Sequence, residues 1–168
     1  MYQQIADLFG LEVPKDDSIP KPGVGKLEGK DSEENTLLGG QNLSEGNYEA
    51  AIKHFQKAIE LNDGAPTAEM LMNLGGAFET AAQEPQALRQ YRQALKQSNT
   101  VEPHVAVADL YKRSGRWRDS IKELQQALEI SPYDAYTNHK ISEIYKETGY
   151  YAQALEFAQR SVVGAPGD

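Results

Sequence analysis

The histidines, and one stretch rich in glycine and lysine, are the residues of this chain that invite a chemical reading. His104 and His139 fall on successive predicted helices, and Glu143 lies one turn beyond His139. Two imidazoles and a carboxylate are a donor set for zinc. The repeat register described below puts His104 at a packing position and His139 on an outward face, so the set is not expected to converge. Residues 23–31, GVGKLEGKD, superficially suggest a phosphate-binding loop. Such a loop needs glycine where Val24 stands and a magnesium-binding hydroxyl where Asp31 stands. No apolar strand precedes it, so a solvated linker is the reading. Asp and Glu number 25, but none sits as a pair in the apolar setting that raises a pKa for acid catalysis. The sequence holds no cysteine, which excludes disulfides, thiolate metal sites and cysteine nucleophiles. Asn42-Leu43-Ser44 is formally a glycosylation sequon, accidental in a chain without a secretion signal. The expectation is a protein with no catalytic, cofactor or metal site.

The elements that position these residues follow from composition and pattern. The formal net charge of −8 argues against nucleic acid and anionic membrane as partners. The N-terminus shows no basic segment followed by an apolar run, and no stretch approaches the ~20 apolar residues that span a bilayer. A soluble cytoplasmic protein is expected. Residues 1–31 differ from the rest. Tyr2, Ile5, Leu8 and Phe9 sit at helical spacing and suit a short amphipathic segment, while prolines and glycines over 14–31 suit a flexible linker.

From Ser32 the pattern repeats. The small residues Ala51, Ala87, Ser120 and Ala154 are 36, 33 and 34 positions apart, each following a turn marked by Gly46, Ala82, Gly115 or Gly149. A large apolar residue stands beside a small one at Leu38-Gly39, Leu74-Gly75, Val107-Ala108 and Ile141-Ser142. The small partner lets a second helix come close. Asn42, Phe78, Tyr111 and Tyr145 follow three positions on, and Phe55, Tyr91, Leu124 and Ala158 lie on the second helices.

These residues resemble the tetratricopeptide repeat, whose signature is W-x2-L-G-x2-Y, then A-x3-F, then a proline. The leading aromatic is replaced by Asn35, Leu71, His104 and Asn138. The resemblance implies an all-α, right-handed superhelical solenoid of about four helix-turn-helix repeats over 32–166, near 32–65, 68–100, 101–134 and 135–168, with a flexible N-terminal extension. It also implies a module that binds another protein, as an extended or helical peptide, in a groove lined by the first helices.

By alignment the groove takes Thr36 and Leu43 from the first repeat, and Glu69, Met72, Asn73 and Glu79 from the second. The third supplies Glu102, Val105, Asp109, Lys112 and Arg113, and the fourth Tyr136, His139, Lys140, Glu143 and Lys146. Met72, Leu43 and Val105 would give apolar contact, and Lys112, Arg113, Lys140 and Lys146 a basic end. Gly40 and Gly76 each cost a helix about 1 kcal/mol against alanine, which suits a groove floor. Chaperone-binding members of the family hold a C-terminal carboxylate with Lys, Asn and Arg; of those places only Asn73 matches, so that role is not expected. The second function considered is self-assembly. Leu155 and Val162 repeat the aliphatic pairs of the other second helices without a following repeat in this sequence, and are expected to be open to a homo-oligomeric contact.

Overall fold

The computed structural model describes residues 31–163, which form eight α-helices. In chain order they are α1 Ser32–Ser44, α2 Tyr48–Leu61, α3 Ala68–Thr80, α4 Glu84–Gln97, α5 Val101–Arg113, α6 Trp117–Ile130, α7 Ala135–Glu147 and α8 Tyr151–Val163. The amphipathic segment and linker expected over residues 1–30 lie outside the described residues, as does Pro166.

The odd-numbered helices are each 13 residues long. Three are opened by side-chain caps: Asp31, Thr67 and Asp134 accept from the backbone N–H of Glu34, Met70 and Thr137. All four end alike. The residue after the turn donates back into the helix at 2.8 Å, from Asn47 to Asn42, Gln83 to Phe78, Arg116 to Tyr111 and Tyr150 to Tyr145. That bond requires a left-handed residue just before the donor, supplied by Gly46, Ala82, Gly115 and Gly149 with φ of 81°, 57°, 70° and 84°. Alanine performs in the second hairpin what glycine performs in the others.

The first three hairpins are each 30 residues long with three-residue inner turns, so the uneven period arises between them. Six residues, 62–67, join the first hairpin to the second; three, 98–100, and four, 131–134, make the later joints. The long joint contains two left-handed residues, Asp63 and Gly64.

Packing inside a hairpin follows one size rule. A Cβ on Gly39 would lie 2.6 Å from Phe55 Cε1, and one on Gly75 would overlap Tyr91 still more closely. The same 16-residue register matches Ala108 with Leu124, which share a cluster, and Ser142 with Ala158. The larger the side chain on the second helix, the smaller the one it lies on, as close packing demands. Two continuous clusters result. One runs from Ala51 and Phe55 through Leu74, Phe78 and Tyr91 to Leu110 and Tyr111; the other joins Val105, Ala108, Leu124, Ile141 and Ile144.

The residues replacing the leading aromatic are all buried, and Asn35 and His104 find partners on the second helix. Asn35 Oδ1 lies 3.1 Å from His54 Nδ1, and His104 lies 2.9 Å from both Glu123 and Asn99. In the fourth hairpin the corresponding second-helix residue is Phe157, which can neither donate nor accept. Asn138 Oδ1 has no hydrogen-bond partner there.

Candidate protein-binding groove

Helices α1, α3, α5 and α7 stand side by side, and contacts that skip a helix define their shared surface. Arg113 of α5 reaches Glu79 of α3 at 2.9 Å. Lys112 of α5 pairs with Glu147 and Glu143 of α7 at 2.9 and 3.6 Å. Lys140 of α7 returns to Asp109 of α5 at 2.8 Å and lies 4.7 Å from the centre of the Tyr136 ring. Glu79 also accepts the Tyr91 hydroxyl at 2.6 Å. Burial, then this hydrogen bond and the Glu79 charge, push the Tyr91 phenol well above the usual tyrosine range. Burial pulls Lys140 down, but the hydrogen bonds to Asp109 and Tyr136 outweigh it, so its pKa ends above the ordinary lysine value.

These pairings change the expected character of the groove. Lys112, Arg113 and Lys140, expected as a basic end ready for a ligand, are engaged by carboxylates of neighbouring helices; Lys146 is exposed and makes no ion pair among the described residues. Glu33, Glu69 and Glu102, at the same place in the first turns of α1, α3 and α5, are exposed and make no ion pair among the described residues. The surface is therefore acidic toward those first turns and self-neutralised toward the last ones. Val105 needs correction. It is only 8% exposed, inside the second cluster, and offers nothing to a ligand. Met72 and Leu43 are half-buried, packed against the first cluster.

Thr36, Asn73 and Asp109 are half-buried, while Tyr136 and His139 are exposed. His139 lies 3.7 Å from Glu143, and His104 is buried against Glu123 and Asn99, so the two histidines share no partner. Two residues of this surface escaped the sequence reading. Glu147 holds in α7 the place that Arg113 holds in α5, and Leu37 holds in α1 the place of Asn73, Ala106 and Lys140. The register already used for Arg113 and Asn73 finds both. Leu37 is largely exposed.

The two adjacent glycines in α1 and α3 have different surroundings. Gly39 and Gly75 are fixed by the rings lying on them. A Cβ on Gly40 would meet nothing within 4 Å, and one on Gly76 only the Tyr91 hydroxyl at 3.8 Å. Packing does not require glycine at either place.

Comparison with known proteins agrees with this architecture. Residues 32–100 match the family described as "Tetratricopeptide repeat". The chain is 29% identical over 126 residues to "Small glutamine-rich tetratricopeptide repeat-containing protein 2" of Mycosarcoma maydis, covering 71% of this chain and 31% of that protein. The chain spans less than a third of the length of the curated relatives it matches. A similar solved structure is "Crystal structure of MamA", with a TM-score of 0.70 at 18% identity over 82% of this chain and 80% of that one. Another is "Crystal structure of APC/C hetero-tetramer Cut9-Hcn1", with a TM-score of 0.66 at 18% identity, covering 82% of this chain and 28% of that one. No described helix is long and apolar enough to cross a membrane. Its repeat period, its left-handed turns and its hairpin packing give the chain the tetratricopeptide-repeat fold, and residues 32–100 match that family's model.

Proposed function

We propose that this protein is a cytoplasmic adaptor that holds a segment of another polypeptide in the groove lined by α1, α3, α5 and α7. The observation that carries this reading is the pair Gly40 and Gly76. Each costs its helix about 1 kcal/mol relative to alanine, yet neither relieves a clash within the protein. A bare helix backbone in a groove lets a bound chain approach closely. Half-buried Met72 and exposed Leu37 offer apolar contact beside it.

The charge pattern supports a segment with basic residues, lying along Glu33, Glu69 and Glu102, since most cations of the groove are already paired. The protein's part is to hold its partner, not to transform it. Peptides selected from a displayed random library on the full chain provide the test. Gly76→Lys and a Glu69→Lys/Glu102→Lys variant should each weaken the selected peptides at least tenfold. Lys57→Glu, on the exposed part of α2, should leave binding unchanged. Equal binding to all of these would overturn the groove assignment.

A further inference from the structure

Positive charge on this acidic chain collects away from the groove. The sixth residue of α2, α4 and α6 is Lys53, Arg89 and Lys122. The ninth and tenth, one turn on, are Gln56 and Lys57, Arg92 and Gln93, and Gln125 and Gln126. All of these are exposed and none is acidic. They lie on the side of each helix away from its buried residues, such as Ala51 and Ala58 in α2 and Ala87 and Ala94 in α4. The row ends at α8, whose sixth residue is Glu156, paired with Arg160, and whose Leu155 and Val162 are exposed and apolar.

Helix α4, with a hairpin on either side, is the centre of this surface. After Glu84 it carries Arg89, Arg92 and Lys96 and no acid. Spacings of three and four put those cations on one stripe. The acids beside it, Glu49 and Glu60 of α2 and Glu129 of α6, stand near helix ends, where α4 has Pro85 and Lys96. Lys53, Arg89, Lys96 and Lys122 make no ion pair among the described residues. Arg92 is held in place, donating to the Tyr111 hydroxyl of α5 with the ring centre 6.0 Å away. A guanidinium carries several N–H donors, so that bond leaves Arg92 able to hold a carboxylate as well.

We propose that the outer surface of α2, α4 and α6 holds an acidic segment of another protein, laid along α4. The partner's charge follows from the cations, and its form from the narrowness of the patch. Charges more than about 8 Å apart are largely screened at physiological ionic strength. A single chain of carboxylates along α4 therefore meets Arg89, Arg92 and Lys96 before any acid of this face. A nucleic-acid duplex or a membrane is broad, and would press its phosphates against Glu49, Glu60 and Glu129 as well. Arg89 can take a carboxylate through two parallel N–H bonds, and the glutamines between the cations carry no charge to repel it. The surface shares no residue with the groove, and its binding stands apart from whatever the groove holds.

Fluorescence anisotropy on the full chain, with a labelled peptide of about ten glutamates, long enough when extended to run the length of α4, provides the test. The peptide should bind at about 50 mM salt and be released at about 500 mM, as screening shortens the reach of the charges. Arg89→Glu should weaken it roughly tenfold, because one attraction becomes a repulsion of similar size. Arg89→Gln/Lys96→Gln should weaken it comparably without adding an acid. Both change exposed side chains and should leave helical circular dichroism unaltered. Lys146→Gln, which removes an exposed cation of the groove, should bind the glutamate peptide as the wild type does. Arg89→Glu should still bind peptides selected on the groove, so the two surfaces fail separately. Four results would each overturn the proposal: no binding of the glutamate peptide at low salt, binding indifferent to Arg89→Glu, an equal loss in Lys146→Gln, or tighter binding of DNA or of phosphatidylserine vesicles than of the peptide.

Discussion

Lys140 of α7 places its ammonium against both carboxylate oxygens of Asp109 on α5, at 2.8 and 3.0 Å. This contact joins two hairpins across the groove surface, and Tyr91–Glu79–Arg113 forms a similar link one hairpin earlier. Both Lys140 and Tyr91 have folded pKa values above the ordinary values of about 10. A group raised in this way stabilises the fold fully below its unfolded pKa and loses that contribution as pH rises through its folded value. The melting temperature should therefore fall from pH 9 to pH 11, and Tyr91→Phe should fall less than the wild type. Lys140→Met should lower stability at pH 7 by about 1–2 kcal/mol, by removing a charged hydrogen bond. Thermal melts across pH would check all three statements.

Gly39→Ala should destabilise the first hairpin, because the new methyl meets the Phe55 ring at 2.6 Å. Overpacking of this sort costs roughly 1–3 kcal/mol. Adding Phe55→Leu reproduces the Ala108–Leu124 pairing and should recover much of the loss. Denaturant titration of the two single variants and the double variant measures the coupling. Additive losses would refute the size rule.

Ala82 carries a φ of 57° in a turn where its three counterparts are glycine. A left-handed alanine costs about 1–2 kcal/mol. Ala82→Gly should raise stability by roughly that amount, less the extra entropy of glycine in the unfolded chain. Gly115→Ala should lower it. A chemical melt in which the two substitutions act in the same direction would contradict the turn assignment.

Asn138 is buried with its Oδ1 unpartnered. Asn138→Leu copies Leu71, the apolar occupant of the same place in the second hairpin, and should stabilise by about 1 kcal/mol as an unsatisfied acceptor is removed. For a chain of this size that is a rise of roughly 2–4 °C in Tm.

The helices and their pairing were legible because the features that fix them are local. The spacing of Ala51, Ala87, Ser120 and Ala154 gave the unit, and the small-large pairs gave the face on which each second helix lies. The groove was legible only as a set of register positions. Val105 illustrates the limit: α5 has neighbours on both sides, so an apolar side chain that the register points outward turns into the cluster with Ile141. Thr36 and His139, on the terminal first helices, keep the surface places the register gives them. The ion pairs were hidden for a related reason. Lys112, Arg113 and Lys140 each read as free cations within their own repeat, and their partners lie one repeat away.

The size rule within each hairpin also sets what the chain can exchange and still fold. Gly75 and Tyr91 fit each other, as do Ala108 and Leu124, but Ala108 beneath a tyrosine would clash and Gly75 beneath a leucine would leave a void. Recombination that moves a helix alone therefore breaks a matched pair, whereas recombination at the joints 62–67, 98–100 or 131–134 moves matched pairs intact. The unit of inheritance in this array is the hairpin, and its seams are already the places where its length varies.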